Sequence, residues 1–344
     1  MNTLRNAIAR LPVDPYLLML LATVALGFAF PARGEARGAA DGGVTSAVAL
    51  LFFLYGARLS PSAIWAGVTH WRLQSLVFAS TFMLFPIVGL AVGVLAGPHL
   101  PPDVATGLVF LCALPSTVQS SIAFTSIARG NVPAALCSAS LSNMLGVAIS
   151  PILVSLILPA HGGLSAGALG DIAVQILAPF ALGQMARPWI GAWLLRHPTL
   201  TAVVDRGSIL LIVYAAFSAG TAAGVWKALS IADLVAVLAL DLIVLGIVIT
   251  TTTLVSRRLG FSTEDEIAIV FCGSKKSMAA GIPMANILFA GHAIGLIVLP
   301  LMIFHQAQLF VCATLARRYA ARSDQPASDR PHSLSAATLV GDEA

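Results

Sequence analysis

Ten apolar stretches of membrane-crossing scale account for most of this chain of 344 residues. They run over roughly 16–30, 44–59, 73–96, 104–128, 133–158, 169–187, 206–225, 232–256, 265–289 and 294–316. Polar or Gly/Pro-containing turns separate them, such as PARGEARGAADGG after the first and GPHLPPD after the third. Apolar residues make up 58% of the chain and charged ones only 10%, with mean hydropathy +0.91. A soluble domain carries about 25% charge, so that class is excluded. Disorder needs low hydrophobicity and high charge, so it is excluded for the body of the chain. The expected class is an all-α polytopic membrane protein. Arg5 and Arg10 ahead of the first stretch resemble a secretory signal, but the alternation described next needs that stretch retained as a span.

Basic residues set the orientation. Counting connections alternately, fourteen Lys and Arg fall on the side that holds both termini and three on the other. The positive-inside rule then puts both termini in the cytoplasm of a multi-pass cell-membrane protein. The net charge of +4 is spread singly or in pairs near span ends, which suits topology and not nucleic acid. The four cysteines sit in apolar stretches without CxxC spacing, so no zinc site or disulfide framework is implied. The expected organisation is a cytoplasmic N-terminus (1–15), two five-span units (16–158 and 169–319) and a disordered cytoplasmic tail (320–344).

An internal repeat supports that division. Cys112 matches Cys272 at an offset of 160, Gly130 matches Gly291 at 161, and the pair Ser142–Asn143 matches His305–Gln306 at 163. In each copy a polar, broken span is followed by a Gly turn and a span with a mid-depth polar pair. Five spans is an odd number, so the second unit must enter the membrane upside down. Inverted repeats of this kind characterise secondary transporters.

The polar residues at depth then stand out. A charge at the bilayer centre costs about 2.5–3.5 kcal/mol on insertion scales and persists only facing a cavity or a partner. Lys275, Lys276 and Asp241 are the charges at depth. An ion pair between Asp241 and a lysine is the competing structural reading. In Leu114-Pro115-Ser116-Thr117-Val118-Gln119-Ser120-Ser121, Pro115 breaks the fourth span; Gly273 does so at the matching place in the ninth, with Pro283 a further break. Gln119, Ser120, Ser121, Ser277, Asn143, His305 and Gln306 are the remaining candidate substrate- or ion-binding groups. Lys276 is expected to be the inward-facing lysine, with Gly281 and Pro283 after it admitting another backbone. No GxSxG, HExxH, Walker loop or GxGxxG accompanies them, so neither catalysis nor ATP use is expected. No cofactor or metal is called for, and transport would draw on a sodium or proton gradient.

At CALPSTVQSSIAFTSIARGN, SNMLGVAISPIL, IAIVFCGSKKSMAAGIPM, ILFAGH and LPLMIFHQAQ the chain resembles the bile acid:sodium symporter family, in its SBF-like bacterial subgroup. The likeness runs over nearly all of residues 10–320. It implies ten transmembrane helices in two inverted five-helix repeats. It also implies a panel domain of spans one, two, six and seven, and a core domain in which broken spans four and nine cross. Substrate, a small organic anion or amphipathic metabolite, would bind between the domains and sodium behind the crossing. Better-known members carry Glu and Gln in the ninth-span break; here Lys275-Lys276-Ser277 stands there, and Ser120-Ser121 replaces the usual Ser-Asn. An ammonium repels sodium, so Lys276 is expected to take the place of a bound cation, with proton coupling if it gains and loses its proton between states. The alternative is a membrane regulatory or scaffold protein that keeps the fold without transport. Its only expected environment beyond substrate is the lipid bilayer.

Overall fold

The computed structural model describes residues 15–58, 70–158 and 166–323. Among the described residues the chain is helical throughout, with no strand. We number the helices α1 (Pro15–Ala29), α2 (Glu35–Arg58), α3 (Trp71–Ala79, continuing through a π segment Ser80–Leu84 into Phe85–Ala96), α4 (Pro102–Ala113), α5 (Gln119–Ile127) and α6 (Val132–Ile157). Then follow α7 (Ala166–Arg196), α8 (Pro198–Ala223), α9 (Ile231–Arg258), α10 (Thr263–Gly273), α11 (Met278–Leu288) and α12 (Ile294–Ser323). Six of them, α2, α3, α6, α8, α9 and α12, are long and apolar enough to cross a membrane.

Several boundaries differ from the expectation. The stretch EARGAADGG, expected as loop, is the first part of α2. Its alanines favour helix and Glu35 sits in the first turn, where a carboxylate complements the helix dipole. Helix α8 begins at Pro198, whose missing N–H costs nothing at a first position. Helix α12 continues to Ser323, beyond the expected boundary at 320. The rest of the expected tail, and all but one residue of the expected N-terminal segment, lie outside the described residues.

Two packing groups are distinguishable. Helices α1, α2, α7 and α8 pack on one another, while α3 to α6 pack with α9 to α12. The α2–α7 contact is the most intimate. Gly56 lies against the backbone of Phe180 and Gly183 against the backbone of Phe53, so neither position has room for a Cβ. Small residues at such crossings let membrane helices approach closely. The two groups meet where α8 touches α11 and α12, and where α7 touches α6 and α11.

Candidate functional site

Two helix breaks face each other at the centre of the molecule. Helix α4 ends at Ala113, and Leu114 turns to an extended conformation (φ −77°, ψ 157°). Pro115 has no N–H with which to continue the ladder, and helix resumes only at Gln119. Helix α10 ends at Gly273, and α11 begins after Ser277, whose hydroxyl caps the Ala280 N–H.

Backbone groups freed by the breaks must find partners in an apolar environment. The Ser277 N–H donates to the Pro115 carbonyl (2.8 Å), joining the two breaks directly. The last carbonyls of α10 are taken by hydroxyls: Ser116 Oγ donates to Cys272 (2.6 Å), Ser121 Oγ to Phe271 (2.9 Å) and Ser80 Oγ to Gly273 (2.8 Å). At Ser116 the N–H donates to Ser142 Oγ (3.1 Å) and the carbonyl accepts from Asn143 Nδ2 (3.2 Å). At Lys276 a single amide does both jobs. Gln308 Oε1 accepts from the backbone N–H (2.9 Å) and its Nε2 donates to the carbonyl (3.0 Å). Ser116 and Lys276 are separated by 160 residues, the same offset as Cys112 and Cys272.

The lysines sit behind these breaks. Lys276 is fully buried and its Nζ donates to the carbonyls of Thr81 (2.9 Å), Cys112 (2.8 Å) and Leu114 (2.6 Å), with the Phe85 ring 4.1 Å away. Each carbonyl is free for a local reason. In the π segment the Phe85 N–H bonds to Ser80, and the next residue, Pro86, has no N–H to offer Thr81. Cys112 loses its usual donor because the Ser116 N–H has turned to Ser142. Leu114 lies in the break itself. The ammonium therefore caps the negative end of α4. Lys275, also fully buried, donates to the Ser120 carbonyl (2.8 Å) between the rings of Phe124 (4.1 Å) and Phe271 (5.1 Å).

On the other side of the crossing lies a cavity of about 590 Å³. Its polar lining includes Thr117, Gln119, Ser120, Asn143, Ser277 and His305; its apolar lining includes Met144, Val147, Phe180, Ile209, Met278 and Leu309. Residues opening both half-helices, Val118 to Ser120 of α5 and Ser277 to Ala279 of α11, line it. No side chain caps the start of α5. Tyr55, Arg58, Asp205 and Arg206 line it as well. Asp205 accepts from Arg58 Nη2 at 2.8 and 2.9 Å.

The expected residues thus divide. Gln119, Ser120, Asn143, Ser277 and His305 share the cavity, while Ser121 holds the break together. Neither lysine lines the cavity: Lys276, expected to face inward, points into the carbonyl cage. Asp241 makes no ion pair with either lysine; it is fully buried, and both carboxylate oxygens lack a hydrogen-bond partner. Gln306 is also outside the cavity, its buried Oε1 without a partner. The residue that pairs with the break is Gln308, which also meets His305 Nδ1 at 2.9 Å. Pro115 and Gly273 sit at the breaks as expected, but α11 runs through Pro283. That proline instead releases the Ala279 carbonyl, which accepts from Tyr55 Oη (3.4 Å). At Gly281 the neighbours are the side chains of Leu114 and Leu301, not a backbone.

Sequence comparison fits this arrangement. The SBF-like CPA transporter family model matches residues 14–321. An uncharacterized protein of Pseudomonas aeruginosa is 52% identical over 317 residues, covering 92% of this chain and 95% of its own. The candidate symporter YfeH of Escherichia coli is 50% identical over 314 residues, with 91% and 95% covered. Sodium/bile acid cotransporter 7 of rat is 28% identical over 277 residues, with 78% and 80% covered. The chain is a multi-pass membrane protein that belongs to the SBF-like CPA transporter family, of bile acid:sodium symporter type.

Proposed function

We propose that the chain is a secondary transporter of an amphipathic organic anion, with Lys276 as a built-in substitute for a coupling cation. One observation carries the reading: the starts of two half-helices open into a single cavity whose lining joins polar groups to apolar side chains. Helix N-termini present unsatisfied N–H groups and a positive dipole end, so they favour an anionic head group. The Met, Val, Phe, Ile and Leu walls suit an apolar body. In this reading α4–α5 and α10–α11 are spans four and nine of a ten-span molecule with both termini cytoplasmic. Helices α1, α2, α7 and α8 are the panel, the others the core, and the two halves are inverted repeats. The matched treatment of Ser116 and Lys276, each clasped through its backbone by the following long helix, supports that relation.

Lys276 extends the reading to coupling. Three carbonyls converging on one point make a cation site, and an ammonium on a four-carbon stem already fills it. Transport then does not require sodium at this position. The test is flux into proteoliposomes of bile-acid conjugates and shorter acyl carboxylates, with sodium or choline outside, for the wild type and Lys276→Gln. Saturable uptake in choline by the wild type, and altered ion dependence in the variant, is the expected outcome. Uptake that is sodium-dependent in both proteins to the same degree would remove Lys276 from the coupling site. Absence of flux together with no stabilisation by any of these anions would favour a non-transporting regulatory protein.

A further inference from the structure

A second, smaller cavity of about 180 Å³ lies between the ends of α9 and α12 that carry clustered arginines, lined by Thr253, Arg257, Leu315, Arg318 and Tyr319. It is small for a drug-sized ligand. Its lining contains two guanidinium groups, a phenol and no carboxylate. Arg257 is fixed in place. Its Nε donates to Glu266 Oε2 (2.8 Å) and its Nη2 to Glu266 Oε1 (2.9 Å), while Tyr319 Oη donates to that same Oε1 (2.7 Å). Glu266 is 7% exposed whereas the Arg257 side chain remains 51% exposed, so the guanidinium is clamped through one edge and still reaches the surface. Arg318, across the cavity, is exposed. Arg258 and Arg317 sit beside these two in sequence and raise the local positive potential.

We propose that this cavity binds the phosphate of an anionic phospholipid head group. The clamp by Glu266 presets Arg257, and a planar guanidinium suits phosphate geometry. The location favours lipid over a free anion. The cavity lies at the ends of two long apolar helices, where a bilayer's head groups reside. Leu254 on α9 and Leu259 just after it, both within a turn of Arg257, are exposed and can meet acyl chains. Basic pockets between membrane helices on the cytoplasmic side are a recognised form of anionic head-group site. Bound there, the phosphate would bridge α9 to α12, both of which pack against the broken-helix assembly.

The test uses the full chain purified in an uncharged detergent. Thermal unfolding is followed while phosphatidylglycerol, phosphatidylcholine or inorganic phosphate is titrated in, and lipid retention is read by native mass spectrometry. The expected result is a saturable rise in Tm with phosphatidylglycerol, small with phosphatidylcholine and absent with inorganic phosphate. Arg318→Gln should weaken the phosphatidylglycerol response about tenfold in midpoint concentration. Arg318→Lys should keep part of it, and Arg258→Gln, outside the lining, should keep nearly all. An equal loss in Arg258→Gln and Arg318→Gln would replace the site with diffuse surface charge and overturn the proposal. So would an unchanged response in Arg318→Gln, or a response to inorganic phosphate equal to that of the lipid.

Discussion

An amine that meets three carbonyl oxygens satisfies them only while it carries three protons, because a neutral amine has two N–H donors. Lys276 is in that position, so the cage holds it as an ammonium in the conformation described. Its replacement by methionine keeps the length of the stem but leaves the Thr81, Cys112 and Leu114 carbonyls buried without donors. Each such group costs about 1–3 kcal/mol, so Lys276→Met should destabilise by at least about 3 kcal/mol. Lys275 donates to one carbonyl and lies between two rings, so Lys275→Met should cost about 1–3 kcal/mol. Thermal unfolding of both variants in detergent tests the ranking; the reverse order would mean that the cage is not what holds Lys276. Asp241 poses the opposite case at the same scale. A carboxylate with no donor in an apolar setting is far costlier than a carboxylic acid. Asp241→Asn should therefore be tolerated in stability, within about 1 kcal/mol, whereas Asp241→Lys should prevent accumulation of folded protein.

Whole elements depend on a few contacts in the same way. Gln308 carries both backbone groups of Lys276, while Asn143 carries only the Ser116 carbonyl. Gln308→Leu should cost about 2–5 kcal/mol and Asn143→Leu about 1–2 kcal/mol, with unfolding curves giving both numbers. Where α2 meets α7, Gly183→Ala drives a methyl group into the Phe53 backbone and should cost about 1–3 kcal/mol. Gly207→Ala, with open space at its Cβ, should stay within about 0.5 kcal/mol. Equal effects at the two glycines would mean that the α2–α7 approach is looser than described. The elements also show what the sequence could and could not reveal. Long apolar stretches and Pro115 announced the long apolar helices and one break, because chain length and a missing N–H are local properties. The Thr81 carbonyl was not legible, since its freedom needs the π register and Pro86 together. Gln308 escaped because the polar pair was read as His305–Gln306. On a helix, positions 305 and 308 share a face, whereas 306 turns away by about 100°. The start of α2 escaped because its glycines and charges outweighed its alanines in the pattern.

For the molecule as a whole, the cavity and the charge distribution make one statement. Residues of both helix breaks line the cavity, and so do Arg58, Asp205 and Arg206. Those three residues belong to the fourteen-to-three basic side of the chain, or lie beside it in sequence. In the topology proposed above that side is cytoplasmic, and with it the conformation is expected to be inward-open. Ala202 lines the cavity on α8, one turn before Arg206. A cysteine placed there should react with a membrane-impermeant maleimide in inside-out vesicles and resist it in intact cells. Background labelling is manageable. Cys112, Cys272 and Cys312 are buried, so Cys137→Ser removes the one partly accessible native thiol. An anion seated at the half-helix ends should slow the reaction at position 202 by crowding the cavity, but leave a cysteine at the exposed Gly207 position unaffected. Faster labelling of Ala202→Cys from the outside of intact cells would reverse the orientation. Protection of both positions alike would show the anion acting on the whole fold and not inside this cavity.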